Sequence, residues 1–245
     1  MDDPVITALR QRLAPFERTA WTPELADGPA PPGGSQLGGP GALRAGEPAP
    51  ACGHCGRPMP LFVQLAGAEL PAPYAERLRG GVLQLFYCTN ADPPCESVCQ
   101  AFFPHARSTL LRLVPTAELG ADAPDPTHAT PTPELPARRV VGWTPAPDLP
   151  GWEELQELGV ALDDEEADAL ADGDLPLGGD KLGGWPLWVQ SVEYPACRRC
   201  GRRMELLFQV DSEQGVAWQF GDAGVGHVTQ CPEHRDELAF GWACS

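Results

Sequence analysis

A stretch of fourteen residues occurs twice in this chain. CGHCGRPMPLFVQL (52–65) and CRRCGRRMELLFQV (197–210) share Cys, Cys, Gly, Arg, Met, Leu and Gln at matching positions, with a Phe in each following run. The likeness extends outward. LGGPG (37–41) precedes the first copy and LGGWP (182–186) the second, and each copy is followed by a strand-like run that ends in Cys, at Tyr87-Cys88 and Gln230-Cys231. A repeated supersecondary unit is read before any other feature, because it decides the architecture. The expectation is an internal duplication.

A C-x2-C turn followed by Gly presents two thiolates to one ion, and a tetrahedral metal then needs two more donors. The first unit offers Cys52, Cys55 and Cys88, with Cys95 or, alternatively, Cys99 in the fourth seat. The second offers Cys197, Cys200 and Cys231. His234 completes it through the short C-x2-H step of CPEH, with Cys244 as the alternative. Residues 1–20 carry Asp2, Asp3, Arg10, Arg12, Glu17 and Arg18 where a signal peptide needs an apolar run, so nine cysteines are expected to stay reduced in the cytoplasm. Redox C-x2-C motifs precede a helix, whereas these precede strands. A catalytic zinc keeps an open seat, but here both units hold full donor sets. Two structural Zn2+ sites are therefore expected, each substituting for core that a small β unit lacks.

Gly 27 and Pro 29 take up more than a fifth of the 245 residues, against a usual share of ~12%, which excludes extended helical bundles. Residues 3–13 have apolar spacing suited to a short helix (domain 1–22). Half of the positions from Pro23 to Pro50 are Pro or Gly and read as loop. Strands are expected at 61–65, 82–87 and 109–114, completing a first β repeat over 23–114. A Pro-rich and acidic linker with short helices follows (115–180), within which Val140, Val141 and Trp143 re-enter the fold. The second β repeat (181–245) has strands at 205–210, 225–230 and 238–243. The fold class is β-rich α+β: two zinc-knuckle β-sheet repeats related by a pseudo-twofold, with short peripheral helices.

A net charge of −17 would repel a polyanion, so nucleic acid is excluded as a partner and a basic protein is favoured. Twelve acidic residues and no Lys or Arg lie between Asp148 and Asp180, on what read as one or two amphipathic helices with an acidic outer face. No apolar stretch approaches the ~18–20 residues needed to cross a bilayer. GDAGVG (221–226) lacks the Lys of a phosphate loop and reads as a turn. His105, His128 and His227 form no recognisable triad. Trp185 and Trp188, crowded by Gly and Pro, are the candidate edge of a partner groove.

DKLGGWPLWVQ (180–190), the second C-x2-C run, GDAGVGHVTQCPEH (221–234) and GGVLQLFYCTN (80–90) resemble the bacterial YwqG-like family, a domain of unknown function. More distantly, the pattern is similar to eukaryotic programmed cell death protein 2. The resemblance implies a duplicated β-rich fold without established catalysis, and on the eukaryotic side a chaperone for a newly made ribosomal protein. It places Cys52, Cys55, Cys88, Cys197, Cys200 and Cys231 at the shared positions. The expected function is a non-enzymatic zinc protein that binds a protein client; the rivals are a zinc-dependent hydrolase and an acidic inhibitor of antitoxin type.

Overall fold

A computed structural model of the chain describes residues 4–92, 94–120, 135–212 and 214–245. Among them, ten strands form one antiparallel sheet: β1 (Arg18–Asp27), β2 (Gln36–Leu37), β3 (Leu61–Ala66), β4 (Gly81–Tyr87), β5 (Thr109–Pro115), β6 (Arg138–Asp148), β7 (Lys181–Gly183), β8 (Glu205–Asp211), β9 (Val225–Gln230) and β10 (Leu238–Ala243). Five short helices accompany it, α1 (Pro4–Leu13) ahead of β1 and, in the connections, α2 (Ala72–Arg77), α3 (Cys95–Val98), α4 (Trp152–Glu157) and α5 (Asp164–Asp172). The order across the sheet is β10-β9-β8-β7-β1-β6-β2-β3-β4-β5. Its outermost strands, β10 and β5, lie against each other, so the sheet nearly closes on itself.

Strands with one wet face alternate in burial, but β3, β4 and β9 are buried at every position. One face packs a shared apolar core in which Phe62, Leu65, Leu85 and Tyr87 meet Phe208, Val210, Phe220 and Phe240. Loops cover the other face, and buried glutamines fasten them. Gln64 donates to the Gly34 carbonyl and accepts from the Ala42 amide, at 2.7 and 2.9 Å. Gln209 donates to the Gly179 carbonyl and accepts from the Leu187 amide, at 2.9 and 2.8 Å. The glycines of the two LGG turns all have positive φ, and a Cβ on Gly183 would fall 1.6 Å from the Tyr74 hydroxyl.

Two expectations need correction. The Pro/Gly-rich stretch 23–50 is not all loop, because β1 continues through Pro23 to Asp27 and β2 lies within it. Proline is tolerated where a ladder is one-sided. β1 pairs with β7 only at Ala20 and Trp21, and β6 pairs with β2 only at Arg138 and Arg139, so Pro23, Pro145 and Pro147 each face a neighbouring strand on one side alone. Secondly, the expected linker 115–180 supplies β6, which runs antiparallel to β1 in the middle of the sheet. The Pro-rich part at 121–134 lies outside the described residues.

The acidic segment does form two helices, but several of its carboxylates turn inward. Leu155 and Leu170 pack with Leu9 and Leu13 of α1, while Trp152 and Leu158 stay 44% and 41% exposed. Asp148, Glu154 and Asp180 are buried. Asp148 accepts from the amides of Leu177 and Trp185, each at 2.8 Å, and pairs with Lys181 at 2.9 Å. Lys181 is the only lysine in the chain and is fully buried, so burial pushes its ammonium below the ordinary value against the pull of Asp148.

Removing one partner of such a pair leaves an uncompensated charge, which costs about 3–5 kcal/mol. Lys181→Met is expected to lose that much in urea denaturation, and adding Asp148→Asn to recover part of it. His227 is buried beside Trp188, its ring centroid 4.7 Å from the indole. Burial first, then the charge of Lys181, hold its imidazole neutral down to about 3, from an ordinary 6.5. The unfolded chain binds a proton there that the folded chain refuses, so this contribution to stability is full above pH 6.5 and is lost as pH falls toward about 3. Thermal unfolding across that range should show a shallower acid loss in His227→Gln than in wild type.

Candidate metal centres

Each C-x2-C sequence folds into a closed turn ahead of its strand. The Cys52 amide donates to the Arg57 carbonyl at 2.8 Å, and the Gly56 amide donates back to the Cys52 carbonyl at 2.9 Å. In the second turn, Cys197 to Arg202 and Gly201 to Cys197 measure 2.8 Å each. Gly56 and Gly201 have φ of 71° and 72°, the left-handed region that lets the chain reverse after the second Cys. The amides of His54 and Arg199 point at the Sγ atoms of Cys52 and Cys197, both at 3.4 Å. Beyond the turn, each unit has an irregular register in the same place, between Leu61 and Val63 and between Leu206 and Phe208.

These turns bring four donors together in each unit. Cys52, Cys55, Cys88 and Cys95 form one cluster and Cys197, Cys200, Cys231 and His234 the other, with all ligand atoms of a cluster within 4.8 Å of one another. Cys55 and Cys88 are 3.7 Å apart, as are Cys200 and Cys231. His234 Nδ1 lies 3.7 Å from Cys197 and 3.8 Å from Cys231. Either cluster could hold a metal ion. Cys95 comes from the first turn of α3, and His234 from the turn after β9, where the Cys231 amide donates to the Glu237 carbonyl at 3.0 Å.

The matching region is one family's. A model described as Domain of unknown function (DUF1963) covers residues 35–240, from the start of β2 into β10, and so includes both clusters. The chain belongs to this family. A search of curated proteins finds no match to it.

Within this DUF1963 chain, the alternatives Cys99 and Cys244 stand outside both clusters. Cys99 is the C-cap of α3, and Cys244 packs against the main core. Trp185 and Trp188 do not form an exposed edge, being 4% and 8% exposed. The Trp185 indole donates to the Phe16 carbonyl and is covered by Arg18, 3.3 Å above its ring; Trp188 donates to Glu154 at 2.9 Å. Sequence reading missed the residues that satisfy these indoles, since Phe16 and Glu154 are remote in the chain and carry no motif.

Converging sulfurs do not ionise independently. Burial pushes the Cys88 thiol up, and lifts Cys95 to about 11. Burial also works against Cys231, but the amides of His234 and Glu233 and the Cys197 and His234 side chains prevail and bring it down to about 6. At Cys55 burial is likewise outweighed, by the Arg57 amide and the other three thiols. Neither cluster can carry three or four negative sulfurs at these distances without a cation among them.

Elemental analysis separates ligands from bystanders. Cys95→Ala and His234→Ala are each expected to lower the metal content by one equivalent per chain, and Cys99→Ala and Cys244→Ala to leave it unchanged.

Proposed function

We propose that this chain is a non-enzymatic zinc protein, built by duplication of one knuckle-bearing β unit, that acts by binding another protein. The observation that carries the metal reading is the pair of complete donor sets. A zinc ion with ~2.3 Å bonds to sulfur, placed at the centre of a tetrahedron, requires sulfur–sulfur edges of ~3.8 Å. The Cys55–Cys88 and Cys200–Cys231 separations of 3.7 Å fit that figure. Thiolate and imidazole donors favour zinc over calcium or magnesium, which take oxygen.

All four seats of each cluster are protein side chains, so the ions act as staples and leave no open position for the water a hydrolase would need. Small apolar groups surround the knuckles: Met59, Leu61 and Phe86 at the first, Met204 and Ala239 at the second. A cluster of that size stabilises a turn by only a few kcal/mol, and an ion adds what the apolar contacts lack. Duplication is supported by the repeated sequence, the matching turns and register shifts, and the succession β2-β3-β4-β5 on one side of the β1/β6 pair mirrored by β7-β8-β9-β10 on the other.

Binding in place of catalysis is supported by charge. The chain carries −17, and α4 and α5 display Glu153, Glu157, Asp164 and Glu165 without a lysine on the surface. A basic protein segment suits that surface, and the similarity to programmed cell death protein 2 points to a chaperone-like role. Nine free cysteines fit a reducing, cytoplasmic setting. Among the described residues no helix is long and apolar enough to cross a membrane.

Native mass spectrometry and X-ray absorption of the purified protein should find two zinc ions per chain, one bound by four sulfurs and the other by three sulfurs and an imidazole nitrogen. Cys197→Ser should lose one of them and destabilise the second unit by several kcal/mol, a fraction of the ~10–16 kcal/mol that structural zinc contributes in small domains. A metal-free chain that is fully folded would overturn the reading. Affinity capture should return a basic protein, and recovery of a nuclease or toxin would instead favour the inhibitor.

A further inference from the structure

The connection from β4 to β5 does more than carry the fourth donor of the first centre. Residues 95–108 form a strap pinned at both ends to that centre. At its start, Cys95 is in the cluster and its amide donates to the Asn90 carbonyl at 3.0 Å. At its exit, the Arg107 carbonyl accepts from the amide of Gly53, inside the C-x2-C turn, and the Ser108 carbonyl accepts from the amide of Cys88, both at 2.9 Å. Between these pins the strap crosses to the far edge of the sheet. The Phe102 carbonyl accepts from the Trp242 amide of β10 at 3.1 Å, and the Phe102 ring meets the Trp242 indole edge-on at 5.9 Å. Beneath it, Trp242 Nε1 donates to the Tyr87 hydroxyl at 3.0 Å, and that hydroxyl donates to Glu96 of the strap at 2.8 Å. The strap therefore spans the seam where β5 and β10 meet.

We propose that metal in the first centre closes the sheet: the ion held by Cys52, Cys55, Cys88 and Cys95 fixes the strap across the β5–β10 seam, and loss of that ion lets the seam open. This inference rests on the metal reading above. Without the ion, Cys95 has no bond to the two halves of the C-x2-C turn, and the strap is held by its hydrogen bonds and by the packing of Ala101, Phe102 and Ala106 against the main core. A connection that is outside the sheet ladder and solvent-facing over most of residues 102–107 opens locally before the strands it crosses. Opening uncovers the aromatic layer of Tyr87, Phe220, Phe240 and Trp242, in which Phe220 meets each of the other three rings, edge-on or tilted, with centroids about 6 Å apart. The site thus makes exposure of an apolar surface conditional on metal supply.

Hydrogen exchange on the full-length, zinc-loaded chain tests this. Cys95→Ser should lose one zinc and exchange on the order of tenfold faster over both 95–108 and 238–243, with 197–204 protected as in wild type. Tyr87→Phe keeps every donor but cuts the link from Glu96 to Trp242. It should retain two zinc ions, exchange faster at 238–243, and release zinc from the first centre to a chromogenic chelator several-fold faster. Two bound ions in wild type with 238–243 equally protected in both variants would overturn the inference and leave the metal reading intact. A wild-type chain holding no metal would overturn both.

Discussion

Four soft donors drawn to within a few ångströms of one another are the constraint on which much of the rest depends. Sulfurs at 3.7 Å repel once more than one is ionised. Backbone geometry does the positioning: a glycine in the left-handed region after the second Cys, an amide aimed at the first, and a strand that delivers the third. A cation at the centre, as proposed, would turn that repulsion into attraction.

A second constraint acts at the middle of the sheet, where β1, β6 and β7 meet. Asp148 ends β6 and Lys181 begins β7, and the two charges face each other in full burial. Their pairing is expensive to assemble but specific, because the two backbone amides on Asp148 and the ammonium of Lys181 leave its carboxylate few alternative arrangements. The close approach of Gly184 to Asp148 shows why the LGG turn admits no side chain there, a built Cβ falling 2.3 Å from the carboxylate oxygen.

The repeat and its cysteines were legible because they are local: C-x2-C-G dictates a turn, and the strand-like runs at 61–65, 82–87, 109–114, 205–210, 225–230 and 238–243 each became a strand within a residue or two. What sequence reading could not supply was long-range pairing. β6 lay inside the span read as linker, with only Val140, Val141 and Trp143 expected back in the fold, and its one-sided ladder explains why Pro145 and Pro147 are tolerated. Trp185 and Trp188 looked like an exposed edge because their neighbours are Gly and Pro, yet Arg18, Phe16 and Glu154 arrive from elsewhere to bury them. One overlooked signal was present in the composition: a single lysine in the chain, set directly before LGG.

The two centres differ in how their fourth donor is delivered, and the difference has mechanical consequences. His234 follows Cys231 by a tight turn, so the second centre closes on its own hairpin, and β10 begins four residues later in direct continuation. Cys95 instead stands at the head of a long connection that must return to Cys88 and Gly53 before β5 can start. A short closure constrains only itself, whereas a long one pinned at both ends constrains whatever it crosses. In this fold it crosses the only place where two strand edges meet without a continuous ladder among the described residues. A duplicated unit with two equivalent hairpin sites would hold each half together and leave the seam to apolar packing alone. With a metal bound as proposed, the longer connection would tie the edge strand β10 to the cluster of Cys52, Cys55, Cys88 and Cys95.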